Sequence, residues 1–468
     1  MKPTDVSKSD LEKVVLNFNK ICIQYLEAKT IKPNRNHMLV KNEQKLLESL
    51  KTLRRKLIPK PEYYDLVSCL TIQNLSSLIS NNSIKIVLII VDVLKKISTM
   101  DVLEDFVFEI VEMLLEEDII LKLIAVSNRL NIDDKEESKA VYDIFTIIGS
   151  FAQLGSEIVD ETTIHRFMTF LLTNLNMKKY YSRKTLYASE FLNILLQDSE
   201  RNRYMFRKIN GMVSLLKQME YYKKFVPETS QEEELMNHMF SSLCSCLVSG
   251  PLRCSFLKLN GVELMISLLE KEKIFGVVLK VLTYAFYGPN GEDSCNRFVD
   301  KEGLKNIFPS KKIECAEYEK QLTSIAVSLL RNCGGKEKGK ILEVFKADGY
   351  REIKNLLELH SKYFTRVNLA EQKYHECSYN EAFFMGIECG LNTLQFVDYI
   401  LVNSSLMDDK IKQLVKLFFQ DKDELNLILL DYAQNLPDDG LKEWKYQERQ
   451  KIEVMLKRFK QTSFNNKR

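Results

Sequence analysis

The run Gly334-Gly-Lys-Glu-Lys-Gly-Lys340 satisfies G-x-x-x-x-G-K, the spacing with which backbone N–H groups and a lysine cradle phosphates. That chemistry also needs Ser or Thr after the lysine to reach Mg²⁺, and a buried strand before the loop. Ile341 follows here, and 325–331 has the apolar spacing of a helix, so the run reads as a connection between helices. His238, Cys244, Cys246 and Cys254 give H-x5-C-x-C-x7-C, a set of zinc-ligand types. On a helix, residues two apart point about 200° apart, so Cys244 and Cys246 cannot share one metal. With Leu243 and Leu247 they read as small core residues. His360, His375 and Cys377 offer no ligand spacing either. No Ser/His/Asp or Cys/His constellation has a spacing rationale, so neither catalytic residues, nor a metal, nor a cofactor is expected.

Acidic residues carry a clearer pattern. Asp105, Glu109, Glu112 and Glu116 fall at i, i+4, i+7 and i+11, one face of a helix. Glu117, Asp118, Asp133, Asp134, Glu136 and Glu137 follow. Residues 101–170 hold 16 Asp/Glu against 5 Lys/Arg. Like charges at i, i+4 cost their own helix a few tenths of a kcal/mol per pair. A ridge kept at that cost fits an electrostatic seat for a basic peptide; a solvated polar face is the plainer reading. Basic stretches lie elsewhere: 53–56, Lys178 and Lys179 with Arg183 and Lys184, and Arg201 with Arg203. Tyr180, Tyr181, Tyr187 and Tyr204 stand near them, as base stacking would require. Aromatics at helical spacing more often face a core, so direct RNA contact is not expected.

The elements that must position these groups are helices. The 468 residues would make about three ordinary domains, and the 45% apolar content can bury a large core. Only 16 Gly and 9 Pro occur, well below the usual roughly 7% and 5%, which disfavours hairpin-rich and Rossmann-type folds. The first residues have no apolar core or cleavage site, so a signal peptide is not expected, and the longest apolar run, 86–91, ends at Asp92, far short of a membrane span. Ten cysteines in such a chain are expected as reduced thiols in an intracellular protein.

Four segments align on Gly211, Gly261, Gly303 and Gly349, spaced 50, 42 and 46 residues apart. Phe206, Phe256 and Phe298 precede the first three by five residues; the fourth has Val344 there and Phe345 one place late. The expected unit is a short helix that buries the Phe, ended by a Gly in the left-handed conformation, then a second apolar helix. A period near 40–47 with this unit is the armadillo or HEAT pattern. Apolar helices are also expected at 66–80 and 84–97. A full stripe of Leu103, Phe106, Val107, Ile110, Val111, Leu114 and Leu115 follows.

Runs between 180 and 365 resemble a known family. They include Tyr187-Ala-Ser-Glu-Phe-Leu-Asn-Ile-Leu-Leu-Gln-Asp198, Phe256-Leu-Lys-Leu-Asn-Gly-Val-Glu-Leu-Met265, Gly288-Pro-Asn-Gly291, Ser328-Leu-Leu-Arg-Asn332 and Leu357-Glu-Leu-His360. The family is that of the β-catenin-like armadillo proteins of the nucleus, associated with the spliceosome. The resemblance implies a non-enzymatic scaffold in the nucleus, bound to the NineTeen complex of pre-mRNA splicing. It also implies recognition of basic localisation-type segments of splicing partners, chiefly that complex's Myb-type factor. The alternative is a nuclear transport adaptor that reads basic cargo. Readers of that kind use Trp–Asn ladders, and this chain has one Trp, Trp444.

The expected architecture is an all-α, armadillo/HEAT-like α-solenoid with N- and C-terminal helical caps. Its parts are a cap over 1–61, repeats over 62–370 and a cap over 371–468. The terminal stripe of Ile452, Met455, Leu456 and Phe459 packs in cis as a cap or in trans as a homodimer contact. The exposed last face of a solenoid favours a role beyond a cap.

Overall fold

The computed structural model describes residues 7–31, 36–98, 104–154, 159–175, 181–308, 315–373, 379–419, 422–436 and 442–461. Among them every regular element is a helix, and no single helix is long and apolar enough to cross a membrane. The chain forms two compact units. One holds residues 1–221 with 227–245; the other holds 222–226 with 246–468.

In the first unit, helices Lys8–Ile31 and Asn36–Lys56 pack together and cover Cys69–Ile79 and Ile84–Ser98. Leu11, Phe18, Cys22, Leu46 and Leu50 supply the fully buried apolar face. Polar side chains fix its register. Asn19 donates to Thr71 Oγ1 (3.0 Å) and accepts from Asn74 (2.9 Å), while Asn81 donates to Tyr25 (3.0 Å). The predicted helices at 66–80 and 84–97 are Cys69–Ile79 and Ile84–Ser98. Between them Asn81 Oδ1 accepts from the Ser83 N–H, closing the turn. Of the stripe expected after residue 103, Ile110, Val111 and Leu114 are buried.

Repetition shows in the polar contacts as well as in the helices. Lys95 bonds Asp143, Tyr142 bonds Glu190, Ser138 meets Tyr187, and Ser189 meets His238, each across 48 or 49 residues. In the second unit Lys340 reaches Asp300, Lys362 reaches Glu319, and Asn332 reaches the Phe286 carbonyl across 40, 43 and 46. Each such bond joins one repeat to the next, which is how a solenoid is held.

The repeat junctions correct the expected role of glycine. At the first three junctions the left-handed residue is the one before the glycine: Asn210 (φ 55°), Asn260 (φ 57°) and Glu302 (φ 61°); at the fourth, Asp348 (φ 50°) and the expected Gly349 (φ 67°) are both left-handed. Asn tolerates this region because its short polar side chain clashes least. Glycine is required for space. A Cβ on Gly211 would stand 2.4 Å from the Phe206 ring, on Gly261 2.2 Å from Phe256, and on Gly303 2.4 Å from Phe298. All three rings are fully buried and lie directly on the glycine backbone. The fourth junction differs because its ring, Phe345, is shifted by one residue. A Cβ on Gly349 would meet nothing within 4 Å, and Asp348, Gly349 and Tyr350 are all left-handed.

Three further expectations change. Residues 335–340 open a helix, Gly335–Lys373, instead of forming a loop between helices. Lys and Glu there are good helix formers, and Gly335, at φ 49°, makes the sharp entry. The terminal helix Lys442–Gln461 buries Ile452, Met455, Leu456 and Phe459 within the second unit, against Leu391–Ser405 and Lys422–Gln434. That stripe therefore packs in cis, within the second unit. The nine described cysteines are free thiols; Cys377 lies outside the described residues.

Gly261→Ala is expected to destabilise the fold by ~1–3 kcal/mol through overpacking against Phe256. Removing the ring should relieve that cost, so the two substitutions are measured in a double-mutant cycle by chemical unfolding. A Phe256→Ala/Gly261→Ala protein less destabilised than the sum of its parts is the expected outcome. Additivity within ~0.5 kcal/mol would show that ring and glycine are not coupled.

Candidate partner-binding surfaces

The acidic segment spans three helices. Glu104–Glu116 turns Ile110, Val111 and Leu114 inward, which leaves Glu109, Glu112 and Glu116 exposed on the other side. Asp105 belongs to this helix, but its side chain lies outside the described residues. Four of the remaining carboxylates have structural duties. Glu117 is half-buried, 3.6 Å from Lys122, which also donates to Ser76. Asp118, left-handed at φ 52°, is the hinge into Ile119–Arg129 and stands 3.8 Å from Arg166. Asp134 caps Lys135–Phe151 by accepting the N–H groups of Glu136 and Glu137 at 2.9 and 3.0 Å. Glu137 reaches back to accept the Asn131 N–H at 2.7 Å. These reciprocal bonds satisfy donors that a helix start leaves without partners.

Glu109, Glu112, Glu116, Asp133 and Glu136 remain exposed, with no side-chain ion pair or hydrogen bond among the described residues. The first three form one continuous helical edge. Their mutual repulsion has no internal counter-charge, and that is the state a cationic partner would relieve.

The basic stretches are largely used within the chain. Arg54 stands 3.5 Å from Asp92. Lys184 donates to the Ser127 carbonyl and Asn128 and lies over the Phe170 ring; burial pushes its pKa down. Arg201 bonds the Val159 carbonyl, and Arg203 caps the carbonyls of Leu196 and Gln197 at 2.9 Å. Tyr187 packs edge-on against Tyr142 inside the unit. Lys178, Lys179 and Tyr180 lie outside the described residues. The zinc-ligand types do not assemble: His238 bonds Ser189, Cys244 and Cys246 are buried, and Cys254 is exposed. No group of three His, Cys, Asp or Glu side chains fit for a metal occurs among the described residues.

One buried titratable cluster has no signal in the sequence. His360 is 2% exposed, with Nδ1 2.6 Å from Asp398 Oδ1 and Nε2 3.0 Å from Glu424 Oε1. Phe364 stacks on the ring, while Phe418 and Phe419 meet it edge-on. Two carboxylates facing two ring nitrogens satisfy an imidazolium that donates from both. Burial opposes that charge, but the hydrogen bonds and charges of Asp398 and Glu424 outweigh it and raise the His360 pKa. Burial pushes Asp398 up to about 6 against the pull of His360. The partners lie 38 and 64 residues from His360 in sequence, too far for any local spacing to reveal.

Comparisons with known proteins agree with this architecture. The family described as "Catenin-beta-like, Arm-motif containing nuclear" matches residues 2–429. Beta-catenin-like protein 1 of Bos taurus and of Homo sapiens are each 28% identical over 97% of this chain and 86% of their own length. The Beta-catenin-like protein 1 homolog of Schizosaccharomyces pombe is 25% identical over 77% of this chain and 67% of its own. Among solved structures, an engineered protein aligns over 94% of this chain and 99% of its own, with a TM-score of 0.50 and 13% identity. That likeness concerns the fold alone.

The His360 cluster predicts a pH dependence of stability. Both His360 and Asp398 have folded pKa values above their ordinary ones, so the folded state binds protons that the unfolded state releases first. The His360 contribution is complete below about pH 6.5 and is lost as pH rises through its raised value. The Asp398 contribution runs the same way, complete below about 4 and lost through about 6. The melting temperature should therefore fall more steeply between pH 5 and 8 in the parent than in His360→Gln. Parallel curves for the two proteins would show that the cluster binds no extra proton on folding.

Proposed function

Because the chain belongs to the catenin-β-like family of Arm-motif nuclear proteins, we propose that it is a non-enzymatic scaffold of a pre-mRNA splicing assembly, the NineTeen complex. In this reading the acidic edge of the first unit holds a basic localisation-type segment of a partner, the complex's Myb-type factor. Residues 1–61 and 371–468 act as helical caps on the repeats of 62–370. The observation that carries the proposal is the set Glu109, Glu112 and Glu116. These exposed carboxylates lie along one helix with no cation paired to them among the described residues. Asp105 joins this set by its place in the sequence, and the Asp133–Asp134–Glu136 corner extends the negative field; Glu117, Asp118 and Glu137 contribute charge while holding the helices in place. Trp444 does not serve as a peptide-reading rung. Its ring lies against Tyr287 and the Arg331 guanidinium. Recognition of a basic segment would then rest on charge along an exposed edge.

Three charge reversals, Glu109→Lys, Glu112→Lys and Glu116→Lys, should weaken a Lys/Arg-rich peptide by about tenfold or more. Exposed pairs are worth roughly 0.5 kcal/mol each, and about 1.4 kcal/mol is a factor of ten. Wild-type binding should also fade with salt as the Debye length shrinks from ~10 Å at 0.1 M to ~3 Å at 1 M. Isothermal titration with the basic peptide and a charge-scrambled control measures both. Equal affinity of the triple variant and the parent would remove the edge from the binding surface.

A further inference from the structure

The second unit contains a cavity of about 740 Å³ between the C-terminal end of Ala316–Asn332, the first turn of Gly335–Lys373, Leu391–Ser405 and Lys442–Gln461. Four cations line it: Arg331, Lys338, Lys451 and Arg458. No Asp or Glu does. Its apolar walls include Leu406, Met407, Ile452 and Met455.

Arg331 is held rigidly at the base. Its Nε stands 2.6 Å from Oε1 of the fully buried Glu448, an ionic contact not aligned as a hydrogen bond. Its Nη2 donates to the Tyr432 hydroxyl at 2.9 Å, and the guanidinium lies over the rings of Tyr399 and Trp444. Glu448 thus balances Arg331, and its second oxygen is 3.6 Å from Lys451. Lys338 has no hydrogen bond or ion pair among the described residues, yet it is half-buried and burial pulls its pKa down. Of the two lysines in the G-x-x-x-x-G-K run nearest its end, Lys340 bonds Asp300, while Lys338 turns to the cavity. Its position in the first turn of a helix adds the positive end of the helix dipole to the same space. A half-buried lysine with no ion pair of its own among the described residues, beside a rigid guanidinium, is stabilised when an anion arrives.

We propose that this cavity docks an acidic peptide segment of a partner protein, with carboxylates against Lys338, Lys451 and Arg331 and an apolar side chain against Met407, Ile452 and Met455. The volume suits a few side chains. The apolar walls argue against a bare polyphosphate, which would need donors on every side. The Arg331 guanidinium is already engaged by the rings of Tyr399 and Trp444, which disfavours stacking of a nucleic-acid base on it.

The test is selection from a random peptide display library on the full chain, with each selected peptide titrated by fluorescence polarisation. Peptides rich in Asp and Glu with Leu, Ile or Phe should be enriched. They should bind at least tenfold more weakly to Lys338→Glu and to Lys451→Glu, and severalfold more weakly to Lys338→Met, which keeps the packed stem. The Glu109→Lys/Glu112→Lys/Glu116→Lys protein should bind them undiminished. Melting temperature and far-ultraviolet circular dichroism establish that each variant is folded; if Lys338→Glu is not, Lys338→Met and Lys451→Glu decide. Enriched acidic peptides that bind the folded cavity variants as tightly as the parent would overturn the proposal. So would failure to enrich any acidic peptide. In that case, a rise in melting temperature with inositol hexakisphosphate that Lys338→Met abolishes would make the cavity a polyphosphate site.

Discussion

A phenyl ring that occupies the space where a Cβ would stand gains dispersion contacts that no substituted residue would permit. Three times in this chain the ring comes from five residues before the glycine beneath it. The pairing fixes the angle between the helix that ends with the ring and the helix that begins with the glycine. It also places the ring at full burial, so each junction is a rigid corner and a core anchor at once. The helices that follow can present their apolar faces to the next repeat only because these corners are set. Tyr363 meets Gly390 similarly near the C-terminal end of the repeats, although there the ring arrives from another part of the chain.

Polar groups then set the register that apolar packing leaves loose. Hydrophobic faces slide at little cost, whereas a buried amide or carboxylate has few places where its bonds are met. Side chains just inside one helix repeatedly take up the carbonyls that end a neighbouring one. Asn202 bonds Leu195, Arg203 bonds Leu196 and Gln197, and Arg253 bonds Leu247 and Tyr287. Arginine residues that resemble a phosphate-binding surface in the sequence are occupied in this way. The free charge concentrates where such duties are absent, along Glu109, Glu112 and Glu116 and around Lys338.

The repeat was legible because its two rarest features, a glycine and a phenylalanine at fixed separation, recur with a period near that of a helix pair. Which residue adopts the left-handed conformation was not. Asn-Gly offers two residues that tolerate it, and only the position of the ring shows that the glycine is spent on space. The fourth junction carried a warning in Val344 and Phe345, a one-residue shift that the structure answers with three left-handed residues. Spacing likewise placed the carboxylates of Glu104–Glu116 outward, but it could not show that Asp134 and Glu137 are engaged by backbone. The partners of His360 and Arg331, and the other residues lining the cavity beside Lys338, come from helices distant in sequence, so local pattern held no trace of them.

Arg331 and Glu448 are separated by more than a hundred residues and meet with almost no exposure to water. On the ribosome, the helix bearing Arg331 is complete long before Glu448 is made. Successive repeats of a solenoid can close on one another as they emerge. This guanidinium, however, would have to enter a nonpolar interior without its counter-ion, and leaving one member of a buried pair alone costs several kcal/mol. The helix that brings Glu448 also brings Trp444 against the guanidinium, so the burial of Arg331 and its neutralisation arrive together.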